Sequence, residues 1–360
     1  MAGPKFDPAE LKIAYEKPGF GGGPGTPVYS YPVSPKEGMK AAMARKPLWQ
    51  ITHSEQQMFL PSVNPDNIAR TLCVEAQRHT YTTDPVADMF GVEWEFVPKV
   101  GGSMVRPGQP LIEDMNDWRD FVKFPDIDQW DWEGSAKLNE KFLDTDAYIC
   151  CWILNGWYER LISFMEFEGA AMALIDEDQQ DAVKEFFSEL SDFYIKMIGR
   201  YLDTFPQIDG FCIHDDWGSQ RETFFAPDVA AEMIVPYMRR VNDYIHSRGR
   251  FSDFHSCGMA LKQIPNMIDA GWDAWSGQPM NDTQKIYELY GDKILIGVIP
   301  SKLDPKMSDE ELRESAREYA AKFCNPEKPS ILNIYSNMGM PRAFRDELYK
   351  QSRIRYCGEA

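Results

Sequence analysis

The chain has 360 residues, 43% of them hydrophobic, and a formal net charge of -18. That length suits one large α/β domain or two average ones. So acidic a surface repels phosphate backbones and argues against nucleic-acid binding, and no stretch nears the ~18 apolar residues of a membrane span. The opening MAGPKFDPAELK lacks an apolar leader, and seven scattered cysteines without a CxxC pair indicate reduced thiols, so a soluble cytoplasmic protein is expected.

Residues 1–45 read as an extended arm, with GFGGGPGTP at 19–27 resisting helix and strand alike, which wraps the body or a neighbouring subunit of a homo-oligomer. PLWQIT (47–52) is the first strand-like run, and VADMFGVEW (86–94) a second, more ambiguous one. Residues 95–146, rich in loops and aromatics, read as an insertion. From 148 the rhythm becomes regular. YICCWIL (148–154) suits a strand buried on both faces. In the segment that follows, Val183, Phe186, Leu190, Tyr194, Met197 and Tyr201 recur at spacings of three and four, an amphipathic helix with an acidic start. IDGFCIHDD (208–216), a helix over 228–248, FSDFHSC (251–257), a helix opened by GMALKQI and GWDAWS (271–276) come next. A helix near 282–290, ILIGVI (294–299), a helix over 308–323 and ILNIYS (331–336) complete the alternation.

About eight strands alternating with helices predict a (β/α)8 TIM barrel occupying 46–360 as a single domain, carrying the arm and the insertion. A doubly wound open sheet is the alternative, but no Gly-rich phosphate loop follows an early strand. In a barrel, chemistry gathers where strands end. His214, Asp215 and Asp216 end one such strand, followed by Trp217; His255 and Cys257 end the next; Ser276 and Gln278 follow the sixth, and Ser336 and Asn337 the eighth.

The H-x-C pair is the sharpest feature. Alternate residues of a strand point the same way, and imidazole and thiolate are donors that zinc prefers. The plainer reading is a buried thiol beside a hydrogen-bonded histidine. In HDDWGSQ a carboxylate could act as general acid or base or orient a ligand histidine, or instead cap the next helix. One aspartate is expected to be structural and the other to line the site. His53, Trp217, Gln278 and Asn337 are candidate substrate contacts, and His214, Asp215 and Asp216 candidate catalytic groups.

Several segments together, DMFGVEW, NGWYERLISFMEFEGAAMAL, HDDWGSQ, FAPDVAAEMIVPYMRRV, HSCGMALKQIPNMIDAGWDAW and ILIGVIPSK, resemble the uroporphyrinogen decarboxylase superfamily. The resemblance implies a TIM barrel and one of two activities: cofactor-free decarboxylation of uroporphyrinogen, or cobalamin-dependent methyl transfer with zinc held through H-x-C. The decarboxylases carry arginine after the first strand, whereas PLWQITHSEQQMFLP has none. HSCG matches the zinc branch, with His255 and Cys257 as ligands. The enzymes that methylate coenzyme M add a cysteine after the last strand. YSNMGMP lacks it, which leaves the third ligand open among His214, Asp215 and a rim residue. The resemblance is closest to corrinoid-dependent O-demethylases, which take methyl groups from methoxylated aromatics and pass them to cobalamin on a separate corrinoid protein. The thiol methyltransferase, the decarboxylase and a metal-free ligand-binding barrel are the alternatives.

Overall fold

The computed structural model describes residues 3–17, 25–79, 84–99, 101–304, 306–334 and 340–359. Seven of its strands form a parallel sheet flanked by helices, an α/β fold of the TIM-barrel kind. The chain separates into two compact units, Met1–Gln57 with Asp146–Tyr148 and Asp273–Ala360, and Met58–Thr145 with Ile149–Trp272.

In the first unit, β1 (Ile13–Lys17) and β2 (Thr26–Tyr29) form an antiparallel hairpin around the Gly-rich stretch, most of which lies outside the described residues. The arm is thus more regular than its composition suggests. Its helix, Pro35–Met43, starts at a reciprocal cap in which the Ser34 and Glu37 side chains each accept from the other's backbone, with Pro35 at the first helical position. Buried Glu10 accepts from Tyr349 and Arg353 of the C-terminal helix Arg342–Cys357, which ties the arm down. β3 (Gln56–Phe59) runs across the sequence boundary between the units.

The expected strand at 86–94 belongs elsewhere. β4 (Val86–Ala87), β5 (Glu93–Val97) and β6 (Gly102–Val105) make a separate antiparallel sheet in the second unit. The intervening Asp88 carboxylate, which accepts from the backbone N–H groups of Phe90 and Val92, bends the chain where a continuous strand was expected.

The apolar runs after 148 do form the parallel sheet. β7 (Tyr148–Ile153, in the second unit from Ile149 on), β8 (Gly210–His214) and β9 (Phe251–His255) lie side by side; β8 is buried throughout and β7 and β9 mostly so. β10 (Ala274–Ser276), β11 (Leu295–Val298) and β12 (Ile331–Leu332) do the same in the first unit, where the PLWQIT run contributes a single parallel bridge from Thr52 to Leu332. The amphipathic helix Gln180–Thr204 buries the residues its spacing selects, Val183 through Tyr201. Among the described residues no helix is long and apolar enough to cross a membrane.

Candidate metal centre and its cavity

The register of β8 against β9 pairs His214 with His255, so two strands end level. Beyond each end the chain continues in the same pattern, H-x-D at 214–216 and H-x-C at 255–257. The odd members of each triplet face one point. Ligand atoms of His214, Asp216, His255 and Cys257 all lie within 4.8 Å of one another. His214 Nε2 is 2.9 Å from Asp216 Oδ1, and Cys257 Sγ is 3.5 Å from His255 Nε2.

The even members hold the two loops in place. The Asp215 backbone N–H donates to the carbonyl of His255, and Ser256 Oγ accepts from the backbone N–H of Trp217. Gly258, at φ 76, rests against Gly218: a Cβ on Gly258 would sit 2.0 Å from the Gly218 carbonyl oxygen. Only glycine tolerates both the left-handed backbone and that approach.

The electrostatics follow from packing. Burial works against a charge on His214, but adjacent Asp216 outweighs it and raises the imidazole well above its usual pKa. Burial likewise opposes the Asp216 carboxylate, yet His214 and the Cys257 backbone N–H, 2.6 Å away, hold it well below the ordinary range. Burial pushes the Cys257 thiol up.

The donor set fits zinc. Two imidazoles, a thiol and a carboxylate are all groups that bind it at about 2.0–2.3 Å, and here their ligand atoms converge to within 4.8 Å of one another. His214 Nδ1 lies 2.8 Å from the Leu154 carbonyl, an acceptor only. That bond fixes a proton on Nδ1 and aims Nε2 at the cluster, the second-shell arrangement of metal-bound histidines.

Beside the cluster lies a cavity of about 240 Å³, lined by both imidazoles, Trp152, Phe96, Arg70 and the Gly101–Ser103 segment among others. The Trp152 and His255 rings are 5.4 Å apart.

Of the candidate site residues, the structure brings together His214, Asp216, His255 and Cys257. Asp215 is fully buried and faces away. It accepts from the Glu159 backbone N–H at 2.7 Å and from Trp217 Nε1 at 2.9 Å, which anchors the first turn of the helix Trp157–Ala173. Burial raises its pKa to about 7. Trp217 is fully buried against Phe225 and Phe254, a core residue rather than a wall of this cavity. His53 and Gln278 belong to the other unit, where His53 Nε2 lies 2.6 Å from Ser276 Oγ. Asn337 and Ser336 lie outside the described residues. The sequence placed Asp216 among the candidate catalytic groups with His214 and Asp215, not among the metal ligands, and did not point to Arg70 or Trp152. The repeated H-x-D and H-x-C pattern was the signal available for Asp216.

Residues 165–338 match the uroporphyrinogen decarboxylase family. No curated protein matches the chain. Among solved structures, a methyltransferase from Methanosarcina mazei is similar with a TM-score of 0.55, at 14% identity over 89% of this chain and 98% of that one. A 2,3-dimethylmalate lyase of the PEP mutase/isocitrate lyase superfamily reaches a TM-score of 0.26, at 11% identity and 63% of each chain, and carries no argument. Residues 165–338 are thus similar to the uroporphyrinogen decarboxylase family, and the likeness to the methyltransferase is one of fold.

Proposed function

We propose that this protein is a zinc-dependent methyltransferase that moves a methyl group from a methoxylated aromatic compound to the Co(I) of a separate corrinoid protein. The observation that carries the reading is the convergence of His214, Asp216, His255 and Cys257, two of which, His214 and His255, line a small cavity together with Trp152 and Phe96. These four residues would hold the metal. When bound, zinc supplies a Lewis acid for the ether oxygen, where negative charge grows as the methyl–oxygen bond breaks.

The chain's own groups do the rest. The Leu154 carbonyl keeps the His214 imidazole in one tautomer and orientation. The backbone N–H of Cys257 holds Asp216 in register. Trp152 and Phe96 offer apolar surface to an aromatic ring and displace water from the reacting ether. In the transfer, the ether bond breaks with its electron pair on oxygen. The acceptor's own pair makes the new bond to the methyl carbon, and the phenolate takes up a proton from solvent or a neighbouring acid.

Two features favour this over the related activities. A cavity of about 240 Å³ is below the roughly 300–1,000 Å³ that encloses drug-sized ligands, which suits a single ring better than a tetrapyrrole. A carboxylate in the donor set makes the centre harder than a thiolate-rich one and better matched to an oxygen donor than to a thiol.

The test is methyl transfer from a panel of methoxylated aromatics to added corrinoid protein under reducing, anaerobic conditions. We expect phenol release and methylation of the corrinoid protein, both abolished by chelator and restored by zinc. Absence of transfer across the panel by zinc-loaded enzyme contradicts the reading.

A further inference from the structure

The cavity has a charged wall that the metal centre does not use. Among its described lining residues, Arg70 is the one side chain with a permanent positive charge. It is held firmly. Nη1 donates to Asn155 Oδ1 at 2.6 Å and to Glu159 Oε2 at 3.0 Å, and the guanidinium lies 4.5 Å from the centre of the Trp94 ring. Asn155 is fully buried, and its Nδ2 donates to Asp66 Oδ2 at 2.8 Å. Asp66 in turn shares the wholly buried Arg160 with Asp88. Arg70 therefore stands at the end of a rigid polar chain, while no partner is seen for its Nη2 or Nε among the described residues.

A second observation lies at the next residue. Thr71 has φ 53, left-handed backbone that is strained for a β-branched residue. The turn keeps both Arg70 and Thr71 on the cavity, and Thr71 Oγ1 is 3.0 Å from Ser103 Oγ, a hydroxyl pair in the same lining. A guanidinium edge with two free donors beside two hydroxyls is a matched receptor for a planar anion.

We infer that Arg70, with Thr71 and Ser103, binds a ring carboxylate, so that the methyl donor is a small methoxyarene acid rather than a neutral methoxyarene. The inference rests on the reading of this cavity as the methyl-donor site. One guanidinium serves one carboxylate; Glu159 already draws on part of its charge, and the acidic surface opposes anions at long range. Selectivity of about tenfold to a hundredfold is the scale expected, not more.

Benzoate and benzamide, alike in shape and different in charge, test this by titration calorimetry with the zinc-loaded protein at pH 7.5. Benzoate should bind at least ~10-fold more tightly than benzamide, and Arg70→Gln should erase the difference. Because Arg70→Gln strips Glu159 of its partner, Arg70→Gln/Glu159→Gln provides a second variant with no uncompensated charge, and the same loss is expected. Equal binding of the two probes by wild type, or benzoate preference surviving in either folded variant, overturns the inference. That second result would assign the carboxylate to another group, such as the metal. The outcomes separate from those of the methyl-transfer assay: turnover of neutral methoxyarenes without benzoate preference removes the role of Arg70 alone. Benzoate preference without any methyl transfer removes the proposed activity.

Discussion

Asp215 and Asp216 are adjacent in sequence and differ in everything around them. Asp215 is sealed beneath the helix Trp157–Ala173 and accepts from its first turn. Asp216 turns toward two imidazoles and a thiol. Asp215→Ala should therefore act on stability, costing about 1–2 kcal/mol as a lost helix cap does, with zinc retained. Asp216→Ala should spare the melting temperature of the metal-free protein far better and weaken zinc at least ~10-fold, read by competition with a chromogenic chelator. Equal zinc affinity in Asp216→Ala and wild type would remove Asp216 from the centre. The two aspartates could be sorted from the sequence only as far as one inside and one outside. The alternation that puts residues 214 and 216 on one side of a strand was a signal left unused, and the helix that Asp215 anchors lies 56 residues earlier in the chain, a contact set by packing.

At the scale of elements, the centre depends on two strand-end loops that touch through glycine. Gly258→Ala places a methyl group against the Gly218 carbonyl and forces a left-handed residue with a side chain. We expect a loss of at least about 2 kcal/mol in stability and reduced zinc content, because the same shift moves Cys257. An unchanged melting curve would show that the loops separate freely. A different element carries a pH signature. In the turn His53–Glu55, burial raises the Glu55 carboxyl to about 7, against the hydrogen bond that Trp49 Nε1 donates at 3.1 Å. The folded state thus holds this proton more tightly than the unfolded chain, whose Glu pKa is about 4.3. The penalty is absent below pH 4 and grows as pH rises to about 7, reaching up to about 4 kcal/mol above that. Glu55→Gln should melt higher than wild type at pH 8 and show little advantage at pH 4.5; an identical gap at both would refute the assignment. Elements with strict periodicity, such as Gln180–Thr204 and the buried runs of β7 to β9, were legible because burial demands the pattern. The hairpin of β1 and β2 and the sheet of β4 to β6 were not: their pairing is local, but the strands are short and mostly half-exposed, so no apolar alternation marks them.

For the molecule as a whole, alternation of apolar runs and amphipathic helices was sufficient to anticipate a parallel α/β fold, and the position of His255 and Cys257 at a strand end was sufficient to nominate a metal pair. What completes the pair is register: His214 comes level with His255 because β8 and β9 pair residue for residue, a relation no local spacing encodes. Arg70 escaped notice for the same reason, being brought to the cavity by a turn at Thr71 and a buried polar chain through Asn155. The central claim is that these converging side chains form a zinc centre. Its most direct test is zinc stoichiometry by elemental analysis on anaerobically purified wild type and Cys257→Ala, each confirmed as folded by circular dichroism. The account predicts about one zinc per chain in wild type and a large loss in the variant. A well-folded wild type that holds no zinc even when supplied with it would contradict the account.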